Sequence, residues 1–296
     1  MKSNRVVYIK NDRVQDGGAI RTDVLLDTLQ TGLKNLFLES DVDKIWRSLF
    51  SPKEVVAIKV NCLAGKGLST HPELVLGIVN QLQKIGLPSK NIIVFDRADQ
   101  DLRRAGFKIA TSPSQVRCAG NNSLGYRSEL LMHRTIGSMI SQAVVEADAI
   151  INLPVLKDHG IVGVSAAMKN FFGVIHNPNK YHLNVGDPYV ADLCSHPLIQ
   201  NKVRLTICDT LMAQYEAGPP FVPQYAIQEN SLLLSQDMVA LDRIAWQMID
   251  TWRQQNRLPS LKAVGREPHY ILTAADAEHQ LGEADINRID FKMVRM

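Results

Sequence analysis

Apolar positions along this chain switch between two spacings, and the switches mark out a succession of strands and helices. Residues 6–9 form a short apolar run, a first strand. From Thr22 to Phe37 the apolar residues Val24, Leu25, Leu29, Leu33, Leu36 and Phe37 share one helical stripe, with Asp23 in the first turn, where a carboxylate suits the helix dipole. A second short helix covers residues 42–49, and Ser51-Pro52-Lys53 is a turn. The run Val55-Val56-Ala57-Ile58-Lys59-Val60 predicts a buried strand that delivers a glycine-bearing loop to a helix. Thr70-His71-Pro72-Glu73 reads as that helix's capping box, and Gly86 as its stop.

Further along, strands are expected over residues 91–95, near Val116, and over 148–153, 203–208, 231–234 and 286–294. Helices are expected over residues 99–105, 132–145, 161–172, 190–198 and 238–252, with two more between 258 and 280. Residues 154–160 read as a polar loop, residues 177–187 as a functional or covering loop, and Gly218-Pro219-Pro220 as an extended surface loop. Strands alternating with helices predict an α/β fold: a mostly parallel sheet with helices on both faces, in a single domain with loop insertions.

Polar residues end four of the apolar strand runs: Lys59-Val60-Asn61, Asp96-Arg97, Asn152 followed by Lys157-Asp158-His159, and Cys208-Asp209-Thr210. Parallel neighbouring strands would bring these endings to one edge of the sheet, where open α/β sheets bind ligands. Lys59 sits inside an apolar strand, and such a lysine needs a partner, an anion or a carboxylate such as Asp96 or Asp209. The loop Gly65-Lys66-Gly67-Leu68-Ser69-Thr70 has two glycines of a dinucleotide fingerprint but threonine in the third place, and it lacks the spacing of a Walker A loop. It suits instead an anionic group held at a helix start, with Gly65 and Gly67 giving backbone access and Lys66, Ser69 and Thr70 as donors. Lys169-Asn170, after a stretch of small residues, adds a further cation and amide. The candidate catalytic residues are therefore Lys59, Lys157, His159 and Asp209. The candidate ligand-binding residues are Asn61, Gly65, Lys66, Gly67, Ser69, Thr70, Asp96, Asn152, Lys169 and Asn170.

His159, His176, His182 and His196 lie close together in sequence, but without the spacing of a metal motif. His159 ranks first as an acid or base because it follows a strand end directly. Composition changes this picture little. The formal net charge of +3 is spread along the chain, so neither nucleic acid nor a membrane surface is an expected partner. No apolar run is long enough for a membrane span or a secretory signal, which makes a cytoplasmic location the expectation and leaves a processed exported form open. Cys62, Cys118, Cys194 and Cys208 include no C-x-x-C pair, so no iron–sulfur cluster is expected, while a divalent metal stays open.

The stretches VAIKVNCLAGKGLSTHPELV, INLPVLKDHGIVGVSAAMKNFFGVI and Asn177-Pro178-Asn179-Lys180-Tyr181-His182 together resemble the bacterial and archaeal family catalogued as domain of unknown function 362. The resemblance continues through Leu205-Thr206-Ile207-Cys208-Asp209 and Met238-Val239-Ala240-Leu241-Asp242. It implies no general reaction. Some members carry a ferredoxin-like cysteine cluster or a twin-arginine export signal, and neither is present in these residues. Three readings follow: an enzyme acting on a small phosphate- or carboxylate-bearing anion, a non-catalytic holder of a metal or cofactor, or a redox protein dependent on a partner. Oligomeric state is open.

Overall fold

The computed structural model describes residues 3–296; the basic start at Met1 and Lys2 lies outside them. Among the described residues, ten strands share one sheet: β1 (Val6–Lys10), β2 (Val56–Val60), β3 (Ile92–Asp96), β4 (Arg117–Gly120), β5 (Ala149–Leu153), β6 (Val155–His159), β7 (Gly163–Ser165), β8 (Val203–Gln214), β9 (Ala226–Ser235) and β10 (Phe291–Arg295). The order along the main path is β10-β1-β9-β8-β5-β2-β3-β4. Strands β8, β5, β2, β3 and β4 run parallel, as do β1 and β10, while β9 is antiparallel to both its neighbours. The sheet is therefore mixed and mostly parallel.

Both faces are covered, which is why β2 is buried at every position rather than alternating. Val56, Ile58 and Val60 point into one core, completed by α1 (Thr22–Phe37), α2 (Val42–Leu49) and α3 (Pro72–Lys84). Ala57 points into the other, completed by α4 (Met238–Gln255). Each such valine or isoleucine side chain contributes about 2 kcal/mol by leaving water. Lys59 follows Ala57 at the strand period of two, so it faces the α4 side, level with Asn152 on β5 and Phe95 on β3.

Several expectations change. Residues 154–160 are a strand, β6, rather than a loop. β8 is twelve residues long, and beyond its pairing with β5 its far half is free to pair with β6 at Val155↔Asp209 and Lys157↔Gln214. Asp209 therefore lies inside a strand, not at its end. Residues 132–145 are not one helix: Leu131–His133 and Ile136–Ser138 form a hairpin, and only Gln142–Glu146 is helical. Residues 161–172 hold β7 and a 3-10 turn, Lys169–Val174. Gly163, at φ +80, packs against the Arg266 carbonyl, a position an ordinary helical residue cannot take. The helix expected over 190–198 is split into Tyr189–Cys194 and Pro197–Gln200, since Pro197 cannot continue the first one. Between 258 and 280 only Tyr270–Thr273 is α-helical, and the terminal strand is confined to β10. No helix among the described residues is long and apolar enough to cross a membrane.

Candidate functional site

At the C-terminal edge of the parallel strands lies a cavity of about 450 Å³. Its wall includes Lys59 and Asn61 from β2 and the residues after it, Asp96 from β3, Lys157 and His159 from β6, and Lys169 and Asn170 from the 3-10 turn. Sheet geometry accounts for the convergence. Residues at the C-terminal ends of adjacent parallel strands are neighbours. On β6, Lys157 and His159 are two apart and share a face, while Asp158 faces the other way.

Three lysines are buried here: Lys59 and Lys157 at 1% exposure and Lys169 at 8%. Lys59 Nζ donates to Asp96 Oδ1 at 2.8 Å, the Val60 carbonyl at 2.7 Å and Asn170 Oδ1 at 3.0 Å, so its three N–H groups are committed. Lys157 Nζ donates to Asn61 Oδ1 at 2.7 Å and reaches the Leu68 carbonyl at 3.5 Å. Lys169 Nζ has no hydrogen-bond acceptor among the described residues and lies 3.9 Å above the centre of the Phe172 ring. Burial pushes Lys157 down to about 8, and burial with the neighbouring Lys157 and Lys59 charges pushes Lys169 down to about 7.

Asn170 joins the parts. Its Oδ1 accepts from Lys59 and from Asn61 Nδ2, and its Nδ2 donates to Asn152 Oδ1 at 2.8 Å and toward the Lys59 carbonyl. Asn152 donates in turn to the Ala167 carbonyl, so it supports the wall from behind rather than lining it. Asp96 accepts from Lys59, from the Arg97 backbone and from the Cys62 backbone. The turn that presents Lys169 and Asn170 is held by Asp242 of α4, which accepts from the Ala167 and Met168 N–H groups. Burial pushes the Asp242 carboxyl up to about 7.

His159 stacks on His182 with ring centres 5.3 Å apart, and both line the cavity. His159 Nδ1 accepts from the Ile161 and Val162 N–H groups, which places its proton on Nε2. His182 Nδ1 lies 3.0 Å from the Pro178 carbonyl and donates to it, leaving Nε2 with a bare lone pair. Burial, reinforced by Lys169, holds His159 down at about 2 and His182 at about 4, so both are neutral near pH 7. The wall thus offers one imidazole donor beside one imidazole acceptor.

The glycine loop is placed differently from expectation. Lys66 is exposed, and Lys66, Gly65, Gly67, Ser69 and Thr70 are not among the lining residues. Ser69 Oγ donates to the Gly65 carbonyl; Thr70 Oγ1 donates to the Leu153 carbonyl and accepts from the Asn61 N–H. The Phe221 ring covers Gly67 so closely that an added Cβ would lie 2.6 Å from it. Thr70 is not the helix cap either: His71 occupies that position, and Asp209 accepts from both its N–H and its Nδ1 at 2.8 Å. Asp209 is buried against this partner and does not line the cavity. Sequence reasoning ranked His182 below His159 and passed over Phe172 and Gly173 as wall residues. The loop over residues 177–187, polar and aromatic without periodicity, was the available signal for His182. No group of three or more His, Cys, Asp or Glu with metal-holding geometry occurs among the described residues.

Among solved structures, the chain is similar to a Thermotoga maritima protein from a structural genomics consortium, at 12% identity and TM-score 0.46, covering 77% of this chain and 59% of that one. It is also similar to the lactate racemase apoprotein of Thermoanaerobacterium thermosaccharolyticum, at 13% identity and TM-score 0.46, covering 73% of this chain and 53% of that one. The chain thus spans a little over half the length of each, and likeness at this level says nothing about chemistry. No curated protein matches. Residues 56–247, which carry every cavity element from β2 to Asp242, match the family model described as domain of unknown function (DUF362), and the chain belongs to that family.

Proposed function

We propose that the strand-end cavity binds a small anion, phosphate- or carboxylate-bearing, and that the protein is an enzyme acting on it. The observation that carries this reading is the excess of buried positive charge: Lys59, Lys157 and Lys169 line one cavity with one buried carboxylate, Asp96, which is ion-paired with Lys59, while the half-buried Asp101 and the exposed Arg97 add one charge of each sign to the wall. Buried amines without matching anions are costly, and an anionic ligand offsets that cost. The same fixed charges would stabilise negative charge developing on a bound substrate, and such stabilisation commonly lowers the barrier more than any other single effect. The stacked His159–His182 pair supports turnover over mere storage, because a neutral donor beside a neutral acceptor can relay a proton.

Titration calorimetry with inorganic phosphate and with acetate, at low salt and at a pH below about 7, tests this, since Lys169 and Lys157 are then both mostly protonated. The expected result is saturable binding of at least one anion, weakening as salt is raised. Absence of saturable heat with both anions overturns the reading.

A further inference from the structure

The three lysines differ in what their nitrogens are free to do. Lys59 donates to three acceptors and Lys157 to two, whereas Lys169 has none among the described residues and rests on the Phe172 ring. An amine that makes no hydrogen bonds keeps its lone pair available once it has lost a proton. Burial and the charges of Lys157 and Lys59 bring that loss to about pH 7, so near neutrality much of Lys169 is free amine. A desolvated lysine beside other cations is the form that attacks carbonyl carbon. The two imidazoles complete the setting. His159 Nε2–H can hold a carbonyl oxygen without giving up its proton, and the bare His182 Nε2 can receive one.

Resting on the anion-binding reading above, we propose that Lys169 forms an imine with a small anion that carries a carbonyl carbon. The Nζ lone pair attacks that carbon: a C–N bond forms and the C=O π pair moves onto oxygen. One nitrogen proton passes to this oxygen through His182 Nε2, giving a carbinolamine. The second nitrogen proton leaves with the hydroxyl group as water, and a C=N bond remains. Amine plus carbonyl therefore gives imine plus water, with no oxidant or reductant consumed. A solvent proton then charges the imine, making it an electron sink beside the substrate's own bonds. Lys157, with an N–H to spare, and the charge of Lys59 hold the anionic group. Two substrate classes share this chemistry, a 2-oxo acid and a phosphorylated aldehyde.

The test is borohydride trapping on the full chain, with pyruvate in one arm and glyceraldehyde 3-phosphate in the other, read by intact mass and peptide mapping. The expected product is a single reduced adduct on Lys169, formed in the arm that matches the substrate class and suppressed by excess inorganic phosphate. In Lys169→Arg, which keeps the charge but not the nucleophile, the adduct is gone. Labelling confined to exposed lysines or to Lys157, in a protein that binds phosphate, overturns the imine and leaves the anion site standing. Failure of both trapping and phosphate binding removes both readings. Should Lys169→Arg fail to fold, the adduct map of the unmodified protein decides alone.

Discussion

Lys157 and Asp158 are adjacent on one buried strand, yet their charges meet opposite surroundings. Asp158 Oδ2 accepts from Arg266 Nη1 at 2.8 Å and lies 3.7 Å from Arg253 Nη1, and both arginines also reach Glu216. Two carboxylates face two guanidiniums, and the space is closed: a Cβ added at Gly218 would lie 1.9 Å from the Asp158 carbonyl oxygen. Burial pushes the Asp158 carboxyl up to about 6 against the pull of Arg266, which still leaves it ionised at neutral pH. On the other face, Lys157 joins two more buried lysines around one buried carboxylate, Asp96, at a 450 Å³ cavity whose wall also carries the half-buried Asp101 and the exposed Arg97. Matched charge without free volume fixes the chain's path. Unmatched charge of one sign beside free volume is what a ligand site requires.

If that distinction holds, breaking the matched side costs stability and breaking the unmatched side costs binding. Asp158→Ala leaves Arg253 and Arg266 with Glu216 as their one remaining carboxylate partner in this cluster, and should lower unfolding free energy by about 3–5 kcal/mol in a denaturant titration. A loss below about 1 kcal/mol would mean that the cluster is not the anchor of this edge. Lys157→Met should do the reverse. Stability stays within about 1 kcal/mol or rises, because a desolvated amine is replaced by a chain of similar length. Phosphate affinity falls about tenfold or more. In the unmodified protein, affinity should also fall as pH rises through about 7 and then about 8, as Lys169 and Lys157 lose their protons in turn. Affinity that is flat across that range would place the anion elsewhere.

Gly173 tests the fit within the unmatched side. A Cβ there would lie 3.0 Å from Lys59 Nζ and 3.2 Å from Asp96 Oδ1. The lysine end is flexible enough to shift by a few tenths of an ångström, so Gly173→Ala should fold normally and weaken phosphate binding about threefold. Unchanged affinity would show that the Lys59–Asp96 pair serves the sheet alone.

The two sides were not equally legible in sequence. Lys59, Asp96 and Asn152 could be grouped because parallel neighbours leave little choice: a polar residue ending one strand lies beside a polar residue ending the next. The strand carrying Lys157 and His159 could not be seen, because Pro154 and the charged Lys157-Asp158-His159 read locally as a loop. It pairs with the short β7 just after it and, in parallel, with the far half of β8, some fifty residues later. Lys169 and Asn170 were noticed as polar residues after small ones, but their presentation depends on Asp242, a buried carboxylate from a distant helix. The capping box at Thr70 was a correct local pattern that lost to tertiary contacts. The threonine hydroxyl ties Asn61 to Leu153, and Asp209 serves the helix start instead.

Asp209 gives the smallest and most selective test, because sequence placed it in the site and the structure places it with the matched charges. Burial alone would lower the His71 imidazole, but the Asp209 charge and hydrogen bond outweigh burial and raise it above its ordinary value. A raised histidine contributes stability that is fully present below the unfolded imidazole value and is lost as pH rises through the folded one. Thermal stability should therefore decline on that interval in the unmodified protein, and Asp209→Asn should flatten the decline. At pH 6 the cost of the substitution is about 1 kcal/mol, since asparagine keeps one acceptor oxygen for the His71 N–H. Phosphate affinity should not change, because neither His71 nor Asp209 lines the cavity. A loss of affinity in Asp209→Asn with its stability intact would move Asp209 from the matched to the unmatched side. The boundary between scaffold and site would then lie one strand further into the sheet, on β8.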